Sequence, residues 1–167
     1  LDSSNIQPEE WRLIARHVFE ARDGFDGIVI SHGTDTMAYT ASVLSFMVRG
    51  IGVPVVLTGA QLPIEHPLTD GLDNLRTAFA MAASGRAGVF LAFGRRVMLG
   101  CRAVKTHTTD FAAFDSVNWP AVAVVNGAGL TIREEAIPPQ SGGCALRDEL
   151  CQQVFLIKLT PGLDPEI

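Results

Sequence analysis

The densest run of reactive side chains is Ser31-His32-Gly33-Thr34-Asp35-Thr36, which places an imidazole, two threonine hydroxyls and a carboxylate around one glycine. Gly33 permits close backbone approach. Thr34 offers a hydroxyl. Asp35 falls near a predicted helix start, where the dipole favours its charged form. Helix capping is the simpler use of the same Thr and Asp. A second candidate is Lys105, in Val104-Lys105-Thr106-His107-Thr108-Thr109-Asp110. The chain has eleven arginines and two lysines, Lys105 and Lys158. A lysine set among hydroxyls and a carboxylate in such a chain points to an amine whose charge can change. Burial lowers an amine's pKa, and a neutral amine takes a proton from a hydroxyl. An ordinary surface lysine is the alternative.

Other chemistries find little footing. His17 lies on a predicted helix without a partner in spacing, and His66 stands in a loop between Glu65 and Pro67. Cys101, Cys144 and Cys151 form no C-x-x-C pair, and H-E-x-x-H is absent, so neither a structural metal nor a metal-dependent hydrolase is expected. An odd cysteine count suits a reducing compartment, the cytoplasm. There is no G-x-S-x-G elbow and no G-x-G-x-x-G or phosphate loop. A net charge of −5 with pI near 5.3 argues against nucleic acid as a partner. No apolar run approaches the roughly 18 residues of a membrane span. The 167 residues are 47% hydrophobic and 19% charged, a globular composition with room for one core.

The elements that must position these groups alternate. Residues 8–22 predict a helix, with Pro8 at its first turn and Trp11, Ile14, Ala15, Val18 and Phe19 on one face. Gly27–Ser31, Val53–Thr58 and Gly88–Phe93 read as buried parallel strands. Between them, residues 36–49 read as a helix apolar almost all round, hence sandwiched. Residues 70–84 read as a helix burying Leu72, Leu75, Phe79 and Ala82. This order predicts an α/β fold, a parallel sheet with helices on both faces. Ligands of such sheets bind beyond the carboxyl ends of the strands. Those ends are 31–36, Gly59-Ala60-Gln61 and Gly94-Arg95-Arg96. After Gly94, Val97–Val104 and Ala121–Val125 read as strands of an antiparallel addition. Residues 1–135 are assigned to one domain, 136–152 to a linker, and 153–167 to the start of a second α/β domain, opened by a strand at Val154–Leu159.

Gly27-Ile28-Val29-Ile30-Ser31-His32-Gly33-Thr34-Asp35-Thr36-Met37 matches, at every fixed position, the signature G-x-[LIVM]-x-x-H-G-T-D-T-[LIVM] of the bacterial-type L-asparaginase family. Asp2-Ser3-Ser4-Asn5, Val56–Gln61 leading to Asp70-Gly71 and Asn74-Leu75, and Lys105–Asp110 agree in order. The chain therefore resembles that family over essentially its whole length, and its cytoplasmic type I branch more than the periplasmic one.

The resemblance implies hydrolysis of the side-chain amide of L-asparagine, with neither metal nor organic cofactor. It implies Thr34, Asp35 and Lys105 as a catalytic triad. Substrate is held by positions matching Ser3, Ser4, Gly33, Thr34, Asp35 and the backbone at Ala60. It also implies a homodimer or homotetramer, with no nucleic-acid or membrane partner. The physics is compatible: an amide is a poor electrophile, so a hydroxyl needs a base to attack it. Lys105 would be that base, oriented by Asp35, with N–H groups around Gly33 and Thr34 facing the oxyanion. The resemblance implies two threonines, Thr34 and an upstream one in a T-G-G-T motif that is not in these residues; with the family's C-terminal domain nearly absent as well, the stretch alone is expected to be inactive. Competing readings are the asparaginase-like subunit of a tRNA-dependent amidotransferase, a non-catalytic amino-acid sensor, and a flavodoxin-like regulatory domain.

Overall fold

The computed structural model describes residues 3–140 and 142–164; Asp2 of the predicted binding segment lies outside them. The first helix, α1 (Pro8–Ala21), carries Glu9 and Glu10 in its first turn. The Glu10 carboxylate accepts the Gln7 N–H at 2.6 Å, satisfying one of the donors that a helix start leaves open. Next come β1 (Ile28–Ser31), α2 (Met37–Met47), β2 (Pro54–Thr58), α3 (Gly71–Ala82) and β3 (Gly88–Phe93). β1 pairs parallel with β2, Ile28 against Val55 through Ser31 against Thr58, and β2 pairs parallel with β3. Gly27 has a packing reason: a Cβ there would lie 2.2 Å from the Ala82 carbonyl oxygen.

Beyond β3 the sheet turns antiparallel, as expected. Gly94 and Arg95 both take positive φ, 58° and 62°, the two-residue geometry whose twist suits a hairpin. They lead into β4 (Arg96–Leu99). The expected single strand over Val97–Val104 is two. The chain turns at 100–102, where a Cβ on Gly100 would sit 2.8 Å from both the Ala41 oxygen and Ser45 Oγ. It re-emerges as β5 (Ala103–Lys105), which pairs with β6 (Phe114–Ser116) in a separate ribbon. β7 (Ala123–Asn126) and β8 (Gly129–Ile132) complete a six-stranded sheet in the order β1-β2-β3-β4-β7-β8.

Because side chains alternate along a strand, the sheet feeds two cores. Val55, Leu57, Leu91 and Phe93 face α1 and α2, whereas Val56, Phe90 and Ala92 face α3. Helices thus cover both faces. Two helix readings need correction. α2 is not sandwiched: Met37, Ala41, Leu44 and Met47 are buried, but Tyr39 and Phe46, seven residues apart, share an exposed stripe. α3 buries Ala82 as read, but with it Asn74, Thr77, Ala78 and Met81, and turns Leu72 and Phe79 outward.

After a 3-10 turn at Glu134–Ala136, the described residues of the segment expected as a linker are irregular chain. It lies against the α1–α2 core through Cys144, Leu146 and Leu150. It is pinned by Arg147 N–H to the Met47 oxygen at 2.8 Å and by Arg16 to Asp148 at 2.6 Å. The strand expected at 154–159 is not formed. Its side chains are exposed, and a strand exists only where a neighbour completes its hydrogen-bond ladder. Among the described residues, no helix is long and apolar enough to cross a membrane.

Candidate functional site

The loop after β1 carries Gly33, Thr34 and Asp35 into the start of α2. Lys105 closes β5 and extends its side chain across to that loop. Its Nζ donates to Thr34 Oγ1 at 2.9 Å and to Asp35 Oδ1 at 2.8 Å. The lysine side chain is only 17% exposed and the aspartate 58%, so the amine is shielded while the carboxylate faces solvent. Ser4 Oγ donates to the other Asp35 oxygen at 3.0 Å. Hydrogen bonds from Lys105 and from Ser4, together with the lysine's charge, hold the Asp35 carboxyl below the usual carboxylate range.

Ser3 approaches the same loop from the amino-terminal side. Its carbonyl accepts the Thr36 hydroxyl at 2.6 Å. Its Oγ sits so close to Gly33 that a Cβ there would be 2.3 Å away, which explains the glycine. Ser3, Ser4, Gly33, Thr34, Asp35 and Lys105 therefore converge. Ala60 is not part of that cluster of side chains; it lies one loop away, between Gly59 and Gln61.

Three residues to which the sequence assigned no role organise that second loop. The Asp70 carboxylate accepts the Gln61 N–H at 2.9 Å, the Leu62 N–H at 3.2 Å and Asn74 Nδ2 at 2.9 Å. Asn74, 2% exposed, also donates to the Gly59 oxygen at 3.0 Å and accepts the Gly94 N–H at 2.9 Å. Gln61 reaches forward: its Oε1 accepts the Thr34 hydroxyl at 3.1 Å, while its Nε2 donates to the Thr108 and Asp110 carbonyls at 2.8 and 3.0 Å. A polar pair four apart at a helix start was the available signal for Asp70 and Asn74. Nothing local announces the reach of Gln61.

Three clefts of 420–480 Å³ border these loops. One lies beside Asp35, Tyr39 and Lys105, and another beside Ser3, His32 and Gly33. Among the described residues no group of three His, Cys, Asp or Glu side chains is placed to hold a metal ion. The arrangement offers a hydroxyl joined to an amine, the amine joined to a carboxylate, and a lip of serines, which suits acyl transfer on a small polar substrate.

The family described as "Asparaginase, N-terminal" matches residues 1–138. The chain belongs to the asparaginase family. An L-asparaginase of Thermococcus kodakarensis is 51% identical over the whole of this chain and 51% of its own length. A solved structure of the thermostable L-asparaginase from that organism superposes with a TM-score of 0.91 at 50% identity, over 99% of this chain and 50% of that one. L-asparaginase 1 of Escherichia coli K12 is 39% identical, again over all of this chain and 50% of its own length. A glutamyl-tRNA(Gln) amidotransferase subunit from Methanopyrus kandleri is 36% identical over 99% of this chain and 40% of its own. The chain spans about half the length of these two L-asparaginases.

Proposed function

We propose that the full-length protein is an L-asparaginase, releasing ammonia from the side-chain amide of L-asparagine and leaving L-aspartate. The observation that carries this reading is the contact of one amine, Lys105 Nζ, with both Thr34 Oγ1 and Asp35 Oδ1 within 2.9 Å. In the proposed reaction Lys105 first gives up a proton to solvent, and its freed lone pair then takes the Thr34 proton as the hydroxyl turns from Gln61 and attacks the amide carbon. Asp35 orients the amine and compensates the charge it gains. The carbonyl oxygen becomes an oxyanion facing backbone N–H groups of the 33–34 turn. The C–N bond breaks, ammonia leaves with the proton, and water hydrolyses the resulting ester. Ser3, Ser4 and Gly33 line the substrate's amino-acid end, with Asp35 facing its ammonium and the Ala60 backbone receiving the amide.

The reading needs no metal or organic cofactor. We place the protein in the cytoplasm as a homodimer or homotetramer, with neither nucleic acid nor membrane as partner. Its three cysteines are unpaired, which suits a reducing compartment. The test is ammonia release by the full-length protein and its Thr34→Ala variant, offered L-asparagine and L-glutamine in parallel. Turnover of asparagine that disappears in the variant is expected. Turnover that persists in Thr34→Ala removes the threonine from the chemistry.

The relative of Methanopyrus kandleri favours a second reading, an ammonia-releasing subunit that serves a tRNA-dependent partner. Glutamine hydrolysis that requires a partner subunit and tRNA would select it. The net charge of −5 favours the free enzyme.

A further inference from the structure

Behind the Thr34 loop a chain of hydrogen bonds runs inward from the surface of α1. Trp11 Nε1–H donates to Thr40 Oγ1 at 2.9 Å. Thr40 Oγ1 lies 2.9 Å from His32 Nε2, and His32 Nδ1 lies 2.7 Å from the Gly33 carbonyl oxygen. Both ends of this chain fix its direction. An indole N–H only donates and a carbonyl oxygen only accepts. In the neutral imidazole, Nδ1 therefore carries the proton, Nε2 accepts, and the Thr40 hydroxyl passes its hydrogen to Nε2. Thr40 is fully buried, so neither of its bonds has water as a substitute.

The backbone of His32 is equally constrained. Its N–H donates to the Thr58 oxygen at 2.8 Å, and its own carbonyl is so close to Gly59 that a Cβ there would fall 2.2 Å away. The residue after it is a glycine because Ser3 leaves no room for a side chain. That glycine also gives the loop rotational freedom at the point where the candidate hydroxyl must be held still. A bond to the Gly33 oxygen removes this freedom. The peptide is planar and trans, so fixing that oxygen fixes the Thr34 N–H on the opposite side.

We propose that Trp11, Thr40 and His32 form a positioning relay, which holds the Gly33–Thr34 peptide and through it the Thr34 hydroxyl against Lys105. The three act through the backbone, by the bond to the Gly33 oxygen, rather than by touching the Thr34, Asp35 and Lys105 side chains. The proposal rests on reading Thr34 as a reacting residue, and it assigns a role to the histidine of the H-G-T-D-T run that the triad does not use.

The test is steady-state kinetics on the full-length protein with a pair of variants at one site. Thr40→Val keeps the shape and loses the hydroxyl, whereas Thr40→Ser keeps the hydroxyl and loses a methyl. A displaced reacting group costs on the order of 10- to 100-fold. Thr40→Val is therefore expected to lose about that much in kcat with KM little changed, and Thr40→Ser to stay near the parent value. Nitrogen NMR of 15N-histidine-labelled protein should show His32 with its proton on Nδ1 in the parent and in Thr40→Ser, and a mixed tautomer in Thr40→Val. A parent-like kcat in Thr40→Val overturns the relay, as does an equal loss in both variants, which would mean packing alone. If Thr40→Val does not fold, His32→Ala and His32→Asn decide. The amide of asparagine can still donate near the Gly33 oxygen, so Asn should recover kcat relative to Ala, and a parent-like kcat in Ala contradicts the relay. Thr34→Ala in the same assay separates the two claims. If it stays active, the site reading fails; if it is inactive while Thr40→Val turns over normally, only the relay fails.

Discussion

Two loops end adjacent strands and are held in opposite ways. The loop after β1 is tied by groups that come from far along the chain, the Ser3 carbonyl and the Ser4 and Lys105 side chains, and its own carboxylate is 58% exposed. The loop after β2 is tied from behind by the buried start of α3, where Asp70 and Asn74 bond its backbone. The first loop leaves its carboxylate open to solvent, on the side where the proposal puts the substrate. The second directs its bonds mainly to its own framework, with the Gln61 side chain reaching forward. The contrast separates chemistry from support, and it makes mutations in the two loops fail in different assays.

The largest effect is expected at the first loop's partner. Lys105→Met should lower kcat of the full-length protein by about 10²- to 10⁴-fold, the usual contribution of a positioned base, while urea unfolding shifts by no more than about 1 kcal/mol. Equal damage to stability would erase the contrast. At the second loop the order reverses. Asn74→Ala leaves the Gly59 carbonyl and the Gly94 N–H without their partner, and should cost about 2–3 kcal/mol in urea unfolding.

A smaller effect concerns pH. The folded-state pKa of Asp35 is depressed, so its stabilising ion pair is fully present above the ordinary carboxylate pKa and fades as pH falls through the lower folded value. The gap in stability between the parent and Asp35→Ala should therefore narrow on acidification below the ordinary carboxylate range. A gap that stays constant across that range would contradict the pairing. The smallest effect is expected on the outward face of α3. Leu72→Ser and Phe79→Ser should each stay within about 0.5 kcal/mol of the parent, because those side chains are 50% and 58% exposed.

That outward face of α3 is where the sequence misleads. Leu72, Leu75 and Phe79 have helical spacing and the greater hydrophobicity, so they define the helix correctly and its phase wrongly. Asn74 and Thr77 go inside because hydrogen bonds satisfy them: the Asn74 amide serves Gly59 and Gly94, and the Thr77 hydroxyl bonds the Asp73 carbonyl at 2.8 Å. The three parallel strands were legible from short apolar runs bounded by glycine. The same kind of run at 154–159 forms no strand, since pairing depends on a neighbour and composition does not report one. The break between β4 and β5 depends on the contact of Gly100 with α2, which local sequence does not contain. At the site, the clustered loop and the scarcity of lysine singled out Thr34, Asp35 and Lys105. The reach of Gln61 and the chain from Trp11 to Gly33 span distances that no spacing rule covers.

Central to the proposed chemistry is that Thr34 and Lys105 act as one unit. A double-mutant cycle on kcat/KM for L-asparagine, using Thr34→Ala, Lys105→Met and their combination in the full-length protein, addresses it directly. The predicted result is a double variant no slower than the slower single. Losses that multiply, or singles that keep near-parent rates, would contradict it.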